Sequence, residues 1–144
     1  MNRPPPTTLR RDRGRRARSA GRWAEIQAAA LLMLTGWRIL GFRLRTRAGE
    51  IDLLARRGGV LAVVEVKSRG SIEAALAAVS ADQQARLRRA GEALAAGRSD
   101  LRDLALRLDL IALAPGRRPL HIPDAWGYSG AGRSASPLGV SIRP

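Results

Sequence analysis

The sequence predicts a mixed α/β domain in which a β-sheet is flanked by helices, in the order αβββαβ(β). Three observations predict this fold: an apolar pattern at helical spacing comes first, three strand-like segments follow one another, and a second helical pattern precedes a further buried strand. The chain has 144 residues, which is enough for one domain with one hydrophobic core.

The first helix is predicted by apolar residues at helical spacing that end before Gly36, namely Trp23, Ile26, Ala30 and Met33/Leu34. Three strands are then predicted over residues 37–45, 50–56 and 60–68, because these segments are rich in aliphatic and β-branched residues. Ala48-Gly49 and Gly58-Gly59 separate them. The three strands are therefore expected to be consecutive along the chain.

The second helix is predicted over residues 81–96, because Ser80 followed by Gln83 has the spacing of a capping box. Residues 104–113 then predict a buried strand, and residues 121–126 predict a short last strand. His121 is the only histidine, so histidine-based metal sites have little support and a structural role is expected for it.

The two ends of the chain differ in composition from the domain. Residues 1–22 contain eight Arg, a single acid and almost no apolar side chain, which predicts a disordered Arg-rich arm. Residues 129–144 are rich in Gly, Ser and Pro and are expected to form a flexible tail. Residues 23–128 remain as the α/β domain.

The net charge predicts a polyanionic partner. Basic residues number 26 and acidic residues 12, which gives a formal charge of +14 and favours nucleic acid as the partner. No membrane partner is expected, because the longest apolar run is seven residues and a bilayer crossing needs roughly 20. The chain contains no Cys, which excludes disulfides and thiolate zinc sites and fits a cytoplasmic location.

Four charged residues lie on the second and third predicted strands: Glu50, Asp52, Glu65 and Lys67. Gly58-Gly59 favours a two-residue hairpin turn, in which opposing residue numbers sum to 117. Asp52 is therefore expected opposite Glu65, and Glu50 opposite Lys67. Carboxylates placed in this way repel each other, and a divalent cation such as Mg²⁺ relieves the repulsion.

An alternative interpretation is that these residues are ordinary surface charges, with Glu50 and Lys67 forming a cross-strand ion pair. The composition favours the cation site over this alternative. Of the 26 basic residues, 25 are Arg, and Lys67 is the single Lys. Lys presents a compact charge and can lose a proton, which Arg cannot do.

Asp52, a gap of twelve residues and then Glu65-Val66-Lys67 resemble the D…(D/E)xK core of the restriction-endonuclease-like superfamily. The wider set of segments over residues 21–25, 36–40, 49–55 and 64–69 is similar to the bacterial YraN-like family, whose members are assigned as endonucleases by similarity. The resemblance covers residue 21 to about residue 126. It implies a restriction-endonuclease-like fold and metal-dependent hydrolysis of phosphodiester bonds in DNA.

The resemblance also implies roles for individual residues. Asp52, Glu65 and the backbone carbonyl of Val66 would hold Mg²⁺ or Mn²⁺, and Lys67 would position the attacking water. Glu25 matches the family's helix glutamate and is expected to reach the metal or its water. Glu50 also matches, either as a partner of Lys67 or as a ligand of a second metal.

Contacts to nucleic acid are expected from arginines near the hairpin and on the second helix, and from one glutamine that aligns with a family glutamine: Arg43, Arg45, Arg47, Arg86, Arg89 and Gln84. The chain departs from the family at two positions. The family usually has a basic residue where Gln83 stands and an Asn where Arg43 stands.

Two functions remain open from the sequence. The first is a Mg²⁺- or Mn²⁺-dependent endonuclease acting on DNA, with branched or otherwise structured DNA as a candidate substrate. The second is a basic protein that binds DNA or RNA and keeps the nuclease fold without turnover. The acidic cluster beside Lys67 favours the enzyme, and the sequence leaves open whether the protein is a homodimer.

Overall fold

The computed structural model describes residues 7–127, with side-chain surroundings from residue 13 onward. Within that range the chain forms helices α1 (Thr7–Leu34), α2 (Ile72–Ala77) and α3 (Ala81–Ala96), and strands β1 (Arg38–Thr46), β2 (Gly49–Arg57), β3 (Val60–Ser68), β4 (Ala105–Leu113) and β5 (Leu120–Ile122). The strands form one sheet in the order β1-β2-β3-β4-β5. The β3–β4 pair is parallel and the other pairs are antiparallel, so the predicted mixed sheet flanked by helices is confirmed.

The sheet separates two apolar layers. On one face, Ala24, Ala28 and Leu32 of α1 pack against alternate residues of the central strands. On the other face, Leu87 and Ala90 of α3 pack against the intervening residues. The central strands are therefore apolar on both faces, which explains why their sequences are nearly continuous apolar runs.

The β2–β3 hairpin has the predicted register. Its pairs run from Arg57↔Val60 to Leu53↔Val64, and the residue numbers of every pair sum to 117. Gly58 has a φ of 55°, a left-handed conformation that glycine adopts without a steric penalty. The two-residue turn at Gly58-Gly59 thus sets the register that brings the acidic residues together.

Helix α3 begins at its predicted cap. The hydroxyl of Ser80 accepts a hydrogen bond of 3.2 Å from the backbone N–H of Gln83. The side chain of Gln83 bonds to β3, so the second half of a capping box is not formed. The helix lies so close to the sheet at Gly91 that an added Cβ atom would stand 2.5 Å from Cγ2 of Val63, and glycine avoids this clash.

Helix α1 is longer than the sequence predicted. Residues 7–22, expected to belong to a disordered arm, continue the helix, which has 28 residues and a length of about 42 Å. Arg and Ala have high helix propensity, and the helix extends from its packed segment without a new nucleation cost. The composition of residues 7–22 argues against burial, but it does not oppose a helix.

The apolar stripe that predicted α1 is not its buried face. Trp23, Ile26 and Met33 are exposed, whereas Ala24 and Ala28 face the sheet. Alanines on this face let the helix approach the strands closely. Leu32 also packs there, whereas Trp23, Ile26 and Met33 lie on the opposite side. The periodicity therefore identified the helix, but not the face that packs on the sheet.

Two further elements differ from the prediction. Helix α2 was not predicted, although Ser71 caps it by accepting a hydrogen bond from the backbone N–H of Ala74. The last strand was predicted over residues 121–126, but it ends at Ile122 because the chain turns there.

Residues 1–6 and the predicted tail over residues 129–144 lie outside the described residues. No helix within residues 7–127 has the length and apolarity that a bilayer crossing requires.

Candidate active site

Asp52 lies on β2 just beyond the last residue pair of the β2–β3 ladder. Its side chain reaches β3, where Oδ2 accepts a hydrogen bond of 2.9 Å from the backbone N–H of Val66. The carboxylate therefore takes the place that a backbone carbonyl would have had in a continued ladder. This holds the charged group at a fixed position beside β3.

Glu65 is almost fully buried, with 5% of its surface exposed. The Nζ atom of Lys67 lies 3.1 Å from Oε1 of Glu65, and the amide nitrogen of Gln83 donates to the same oxygen at 3.1 Å. Lys67 and Glu65 share a face of β3, as the strand periodicity predicted. One carboxylate oxygen thus receives an ammonium and an amide, from β3 and α3.

The predicted pairing of Glu50 with Lys67 is wrong. The β2–β3 ladder ends before these residues, and Lys67 pairs with Glu65 along its own strand. Glu50 is instead the β1 partner of Arg45, and the two side chains lie 3.6 Å apart at a solvent-exposed position. A role of Glu50 as a partner of Lys67 is therefore not supported by the geometry.

The carboxylates of Asp52 and Glu65 both have raised pKa values. Burial raises the pKa of Asp52, and the nearby Glu25 carboxylate adds to the effect against the hydrogen bond from Val66. Burial raises the pKa of Glu65 to about 7, and the charge of Asp52 contributes in the same direction, against the opposing effect of Lys67. The donors around this pair do not compensate for its two negative charges.

Glu25 lies on α1 and faces the same cleft as Asp52 and Glu65. Its Oε2 atom accepts a hydrogen bond of 2.8 Å from Nε of Arg43. Arg43 has a φ of 46°, a left-handed conformation that Asn tolerates better than Arg. The hydrogen bond shows that Arg43 holds Glu25, an acid that lines the same cleft as Asp52 and Glu65.

A cleft of about 440 Å³, here called the main cleft, opens over these residues. It is lined by small residues of α1 with Glu25, by Asp52, and by the end of β3 and the residue that follows: Ala17, Ala20, Gly21, Ala24, Glu65, Val66, Lys67, Ser68 and Arg69. A neighbouring side cleft of about 220 Å³ is lined by Gly49, Glu50, Gln83, Arg86 and Leu87. Gln83 contacts Glu65 and lines the side cleft.

Comparison with known proteins supports the sequence resemblance at the level of the YraN-like family, which is also called UPF0102. Residues 24–113 match the model of the family described as "Uncharacterised protein family UPF0102". The chain belongs to the UPF0102 family. It is 62% identical to a UPF0102 protein of Caulobacter sp. (strain K31) over 128 residues, which are 89% of this chain and 92% of the relative.

Further UPF0102 relatives are also similar over most of their length. The chain is 65% identical over 119 residues to a UPF0102 protein of Caulobacter vibrioides (strain NA1000 / CB15N), with 83% of this chain and 95% of the relative covered. It is 47% identical over 112 residues to a UPF0102 protein of Maricaulis maris (strain MCS10), with 78% and 88% covered. The similarity therefore extends over most of each protein.

The residues predicted to contact nucleic acid occupy three kinds of position in this UPF0102 protein. Arg45, Arg47 and Arg89 are exposed, and the exposed Arg86 lines the side cleft. Arg43 is engaged by Glu25, so its predicted phosphate contact would have to compete with that ion pair.

Gln84 makes a hydrogen bond within the protein, and its contact with nucleic acid stays a prediction. Its amide donates a hydrogen bond of 3.1 Å to the carbonyl of Val79, which ties the start of α3 to the preceding residues. The neighbouring Gln83 is the residue that reaches the site. Ser80 could have indicated this contact, because the cap fixes where α3 begins. The start of the helix in turn fixes the direction in which Gln83, its third residue, points.

The ligand types present fit a hard divalent cation. Asp52 and Glu65 supply carboxylate oxygens, and Val66 lies between Glu65 and Lys67 at the edge of the main cleft. Mg²⁺ is commonly held by one or two carboxylates, with water and phosphate oxygens completing its shell. Within residues 7–127, no group of three or more His, Cys, Asp or Glu is arranged to hold a metal ion. A bound cation would therefore depend on this pair and on backbone, water or substrate oxygens.

Proposed function

We propose that this UPF0102 protein is a Mg²⁺- or Mn²⁺-dependent endonuclease of restriction-endonuclease-like fold that hydrolyses phosphodiester bonds in DNA. The observation that carries the proposal is the pair of adjacent carboxylates, the buried Glu65 and the half-buried Asp52, beside Lys67 in an open cleft. Burial is the main cause of their raised pKa values, and a cation bound beside them would favour the charged forms. Groups with such shifts in a cleft are typical of functional sites.

Each residue of the site has a defined task in this proposal. Asp52, Glu65 and the carbonyl of Val66 would hold the cation, which when bound would supply a water of lowered pKa and positive charge beside the phosphate. Lys67 places an ammonium at the same cleft, where it can orient a water or steady the charge on a phosphate oxygen. Gln83 holds the Glu65 carboxylate in position through its 3.1 Å hydrogen bond.

The charge distribution supports DNA as the substrate. The chain carries a formal charge of +14, and helix α1 presents exposed arginines before and among the residues that line the main cleft, including Arg15, Arg18 and Arg22. Such contacts neutralise phosphates without reading bases, so we expect selection by DNA shape or ends rather than by sequence. A DNA substrate implies a cytoplasmic place of action in a bacterium.

A second function is favoured by one specific observation. Glu25 pairs with Arg43 and Glu65 pairs with Lys67, so these carboxylates have basic partners within the protein itself. A protein that binds DNA or RNA without turnover could keep such pairs as a structural network. The two functions differ in whether Glu65 is needed for chemistry or only for packing.

A cleavage screen distinguishes them. Labelled linear, flapped, junction and single-stranded DNA is incubated with the protein in Mg²⁺ or Mn²⁺, and binding is measured separately in Ca²⁺. We expect cleavage of at least one structure by the wild type. Glu65→Gln should bind the same DNA but cut it roughly 10²-fold more slowly or not at all, because a ligand of the cation is lost.

Asp100→Asn is the matched control, because it also removes one carboxylate charge. Asp100 is exposed and pairs with Arg98 away from the main cleft, so this variant should cleave at the wild-type rate. Binding without cleavage of any substrate, with Glu65→Gln equal to wild type, would favour the non-catalytic protein.

A further inference from the structure

Helix α1 presents large apolar side chains to solvent. Trp23 is 63% exposed, Ile26 54% and Met33 58%, while the opposite side of the helix packs on the sheet through alanines and Leu32. Isolated exposed apolar residues are common on protein surfaces. A line of them on one helix face is unusual, because contiguous apolar patches mark sites of interaction.

The spacing of this line is that of a coiled-coil seam. Trp23, Ile26, Ala30 and Met33, here called the outer seam, are separated by three, four and three residues. Apolar residues alternating at these spacings form the contact line of paired helices. The outer seam thus has the form of a helix that packs against another helix.

We propose that the outer seam binds a second copy of this chain, with the two α1 helices antiparallel. The spacing 3-4-3 is the same in both directions, so the seam is complementary to its own reversed copy. Residues whose numbers sum to 56 then face each other: Trp23 lies against Met33 of the second copy, and Ile26 lies against Ala30. A large side chain opposite a small one interdigitates well, and Met sulfur packs favourably on an aromatic ring.

The charge of α1 favours the antiparallel arrangement over the parallel one. The exposed arginines of the helix precede the outer seam, and Arg15, Arg18 and Arg22 lie within about two turns of Trp23. Parallel helices would place these arginines side by side and would repel each other. Antiparallel helices direct the two Arg-rich segments away from each other.

The area of the patch suffices for a weak dimer. Together with Leu34, which is 86% exposed, the outer seam presents on the order of 500 Å² of apolar surface per copy, a size at which exposed apolar patches are often functional. Two copies would bury about 1,000 Å², close to the lower limit for a specific interface. We therefore expect an equilibrium between monomer and dimer that depends on concentration.

The outer seam and the main cleft lie on different sides of α1. Gly21, Ala24 and Glu25 line the cleft, and none of them belongs to the seam. Dimerisation would leave the cleft open, and the proposal does not depend on nuclease activity. Its failure and the failure of the proposed function can therefore be observed separately.

Sedimentation equilibrium of the full chain tests the proposal. We expect the wild type to shift from monomer to dimer between low and high micromolar concentrations. Ile26→Glu should stay monomeric over the same range, because a charge would be buried in the seam. Leu120→Glu is the matched control: Leu120 is an exposed apolar residue on β5, 45% exposed, and its replacement should leave dimerisation unchanged.

Disulfide trapping tests the register, and the absence of native Cys makes the result unambiguous. Under mild oxidation, a mixture of Ile26→Cys and Ala30→Cys chains should form the mixed disulfide, and each variant alone should cross-link poorly. Efficient cross-linking of Ile26→Cys with itself would overturn the antiparallel arrangement.

Two further outcomes would overturn the proposal as a whole. The first is a wild type that stays monomeric at every concentration. The second is a monomer that instead binds vesicles of anionic phospholipid, with Ile26→Glu abolishing that binding, because the outer seam would then be a membrane-surface helix.

Discussion

The two charged residues buried within residues 13–127, Glu65 and Asp109, have opposite electrostatic environments. Asp109 on β4 accepts two hydrogen bonds from the guanidinium of Arg107, at 2.8 and 2.9 Å, and one of 3.0 Å from the backbone N–H of Asp124. Nε2 of His121 lies 2.8 Å from Oδ2 of Asp109. Burial raises the pKa of Asp109, but the bonds from His121, Arg107 and Asp124 outweigh it, so the net shift is downward.

Glu65 has partners too, but another acid stands beside it. Lys67 and Gln83 share one of its oxygens, while Asp52 adds a second negative charge. Burial and the charge of Asp52 together raise the pKa of Glu65 to about 7. Burial by itself therefore does not mark a functional carboxylate. The informative difference is whether the protein supplies enough donors and positive charge for the buried group.

The surroundings of the two carboxylates differ in the same sense. Arg107 and His121, which hold Asp109, both contact the ring of Trp37: the guanidinium lies 5.3 Å from the ring centroid, and the two rings pack edge to face at 5.8 Å. Asp109 is thus enclosed by its own partners. Glu65 borders an open cleft, into which a cation and a phosphate could enter.

The largest effect on stability is expected from Asp109→Asn. This change leaves the Arg107 guanidinium without its charged partner, and breaking a buried ion pair costs on the order of 3 kcal/mol in the free energy of unfolding. Urea denaturation of the variant and of Asp100→Asn, which alters an exposed pair, measures the difference. A loss below about 1 kcal/mol would show that Asp109 is not the structural carboxylate described here.

Exchanging the basic partner of each buried carboxylate, Lys67 for Arg and Arg107 for Lys, should affect catalysis at Glu65 and stability at Asp109. We expect Lys67→Arg to lower single-turnover cleavage in Mg²⁺ by roughly 10²-fold with little change in DNA affinity in Ca²⁺, because the charge is kept but the compact ammonium is lost. Arg107→Lys should do the reverse, with reduced stability and an unchanged cleavage rate. Equal cleavage rates for wild type and Lys67→Arg would show that Lys67 has no special catalytic role and is an ordinary charged residue.

The pH dependence of stability should also differ between the two carboxylates. Glu65 loses its proton near 4.5 in the unfolded chain and near 7 in the folded chain. Between these values the folded state binds more protons, so stability falls as the pH rises. With a chelator present, Glu65→Gln should remove about 3 kcal/mol of this fall in the free energy of unfolding.

Asp109 provides the opposite sign. Its folded pKa lies below the ordinary value of 3.8, so its stabilising contribution is present above that pH and is lost as the pH falls further. Acid unfolding of wild type and Asp109→Asn, followed by circular dichroism, should converge at low pH. Curves that stay equally far apart at every pH would contradict this assignment.

The smallest change is expected from Asp52→Asn in the absence of metal. An amide oxygen can still accept the hydrogen bond from Val66, and the repulsion with Glu65 is relieved, so stability should rise slightly or stay the same. Mn²⁺ should raise the melting temperature of the wild type and not that of the variant. A clear loss of stability without metal would place Asp52 with Asp109, as a structural carboxylate.

Much of the fold and part of the site followed from local sequence patterns. The Gly58-Gly59 turn correctly predicted the hairpin register, and Ser80 correctly predicted the start of α3. Asp109 could not be recognised as a special residue, because its partners come from β5 and the turn after it as well as from its own strand. Gln83 was missed as a site residue because a capping box was its local expectation, and a contact with β3 replaced it.

The sequence alone determined the order of the elements and the hairpin that places Asp52 near Glu65, because turn residues and strand periodicity act over a few neighbouring positions. Its composition also determined the basic character of the protein and the single Lys67 beside these acids. Only the tertiary structure decided which face of α1 packs on the sheet, that Arg43 holds Glu25, and that Lys67 pairs with Glu65 rather than Glu50. Those outcomes depend on the end of the β2–β3 ladder and on the close approach of a small-residue helix face. Such features arise from distant parts of the chain, and no local pattern specifies them.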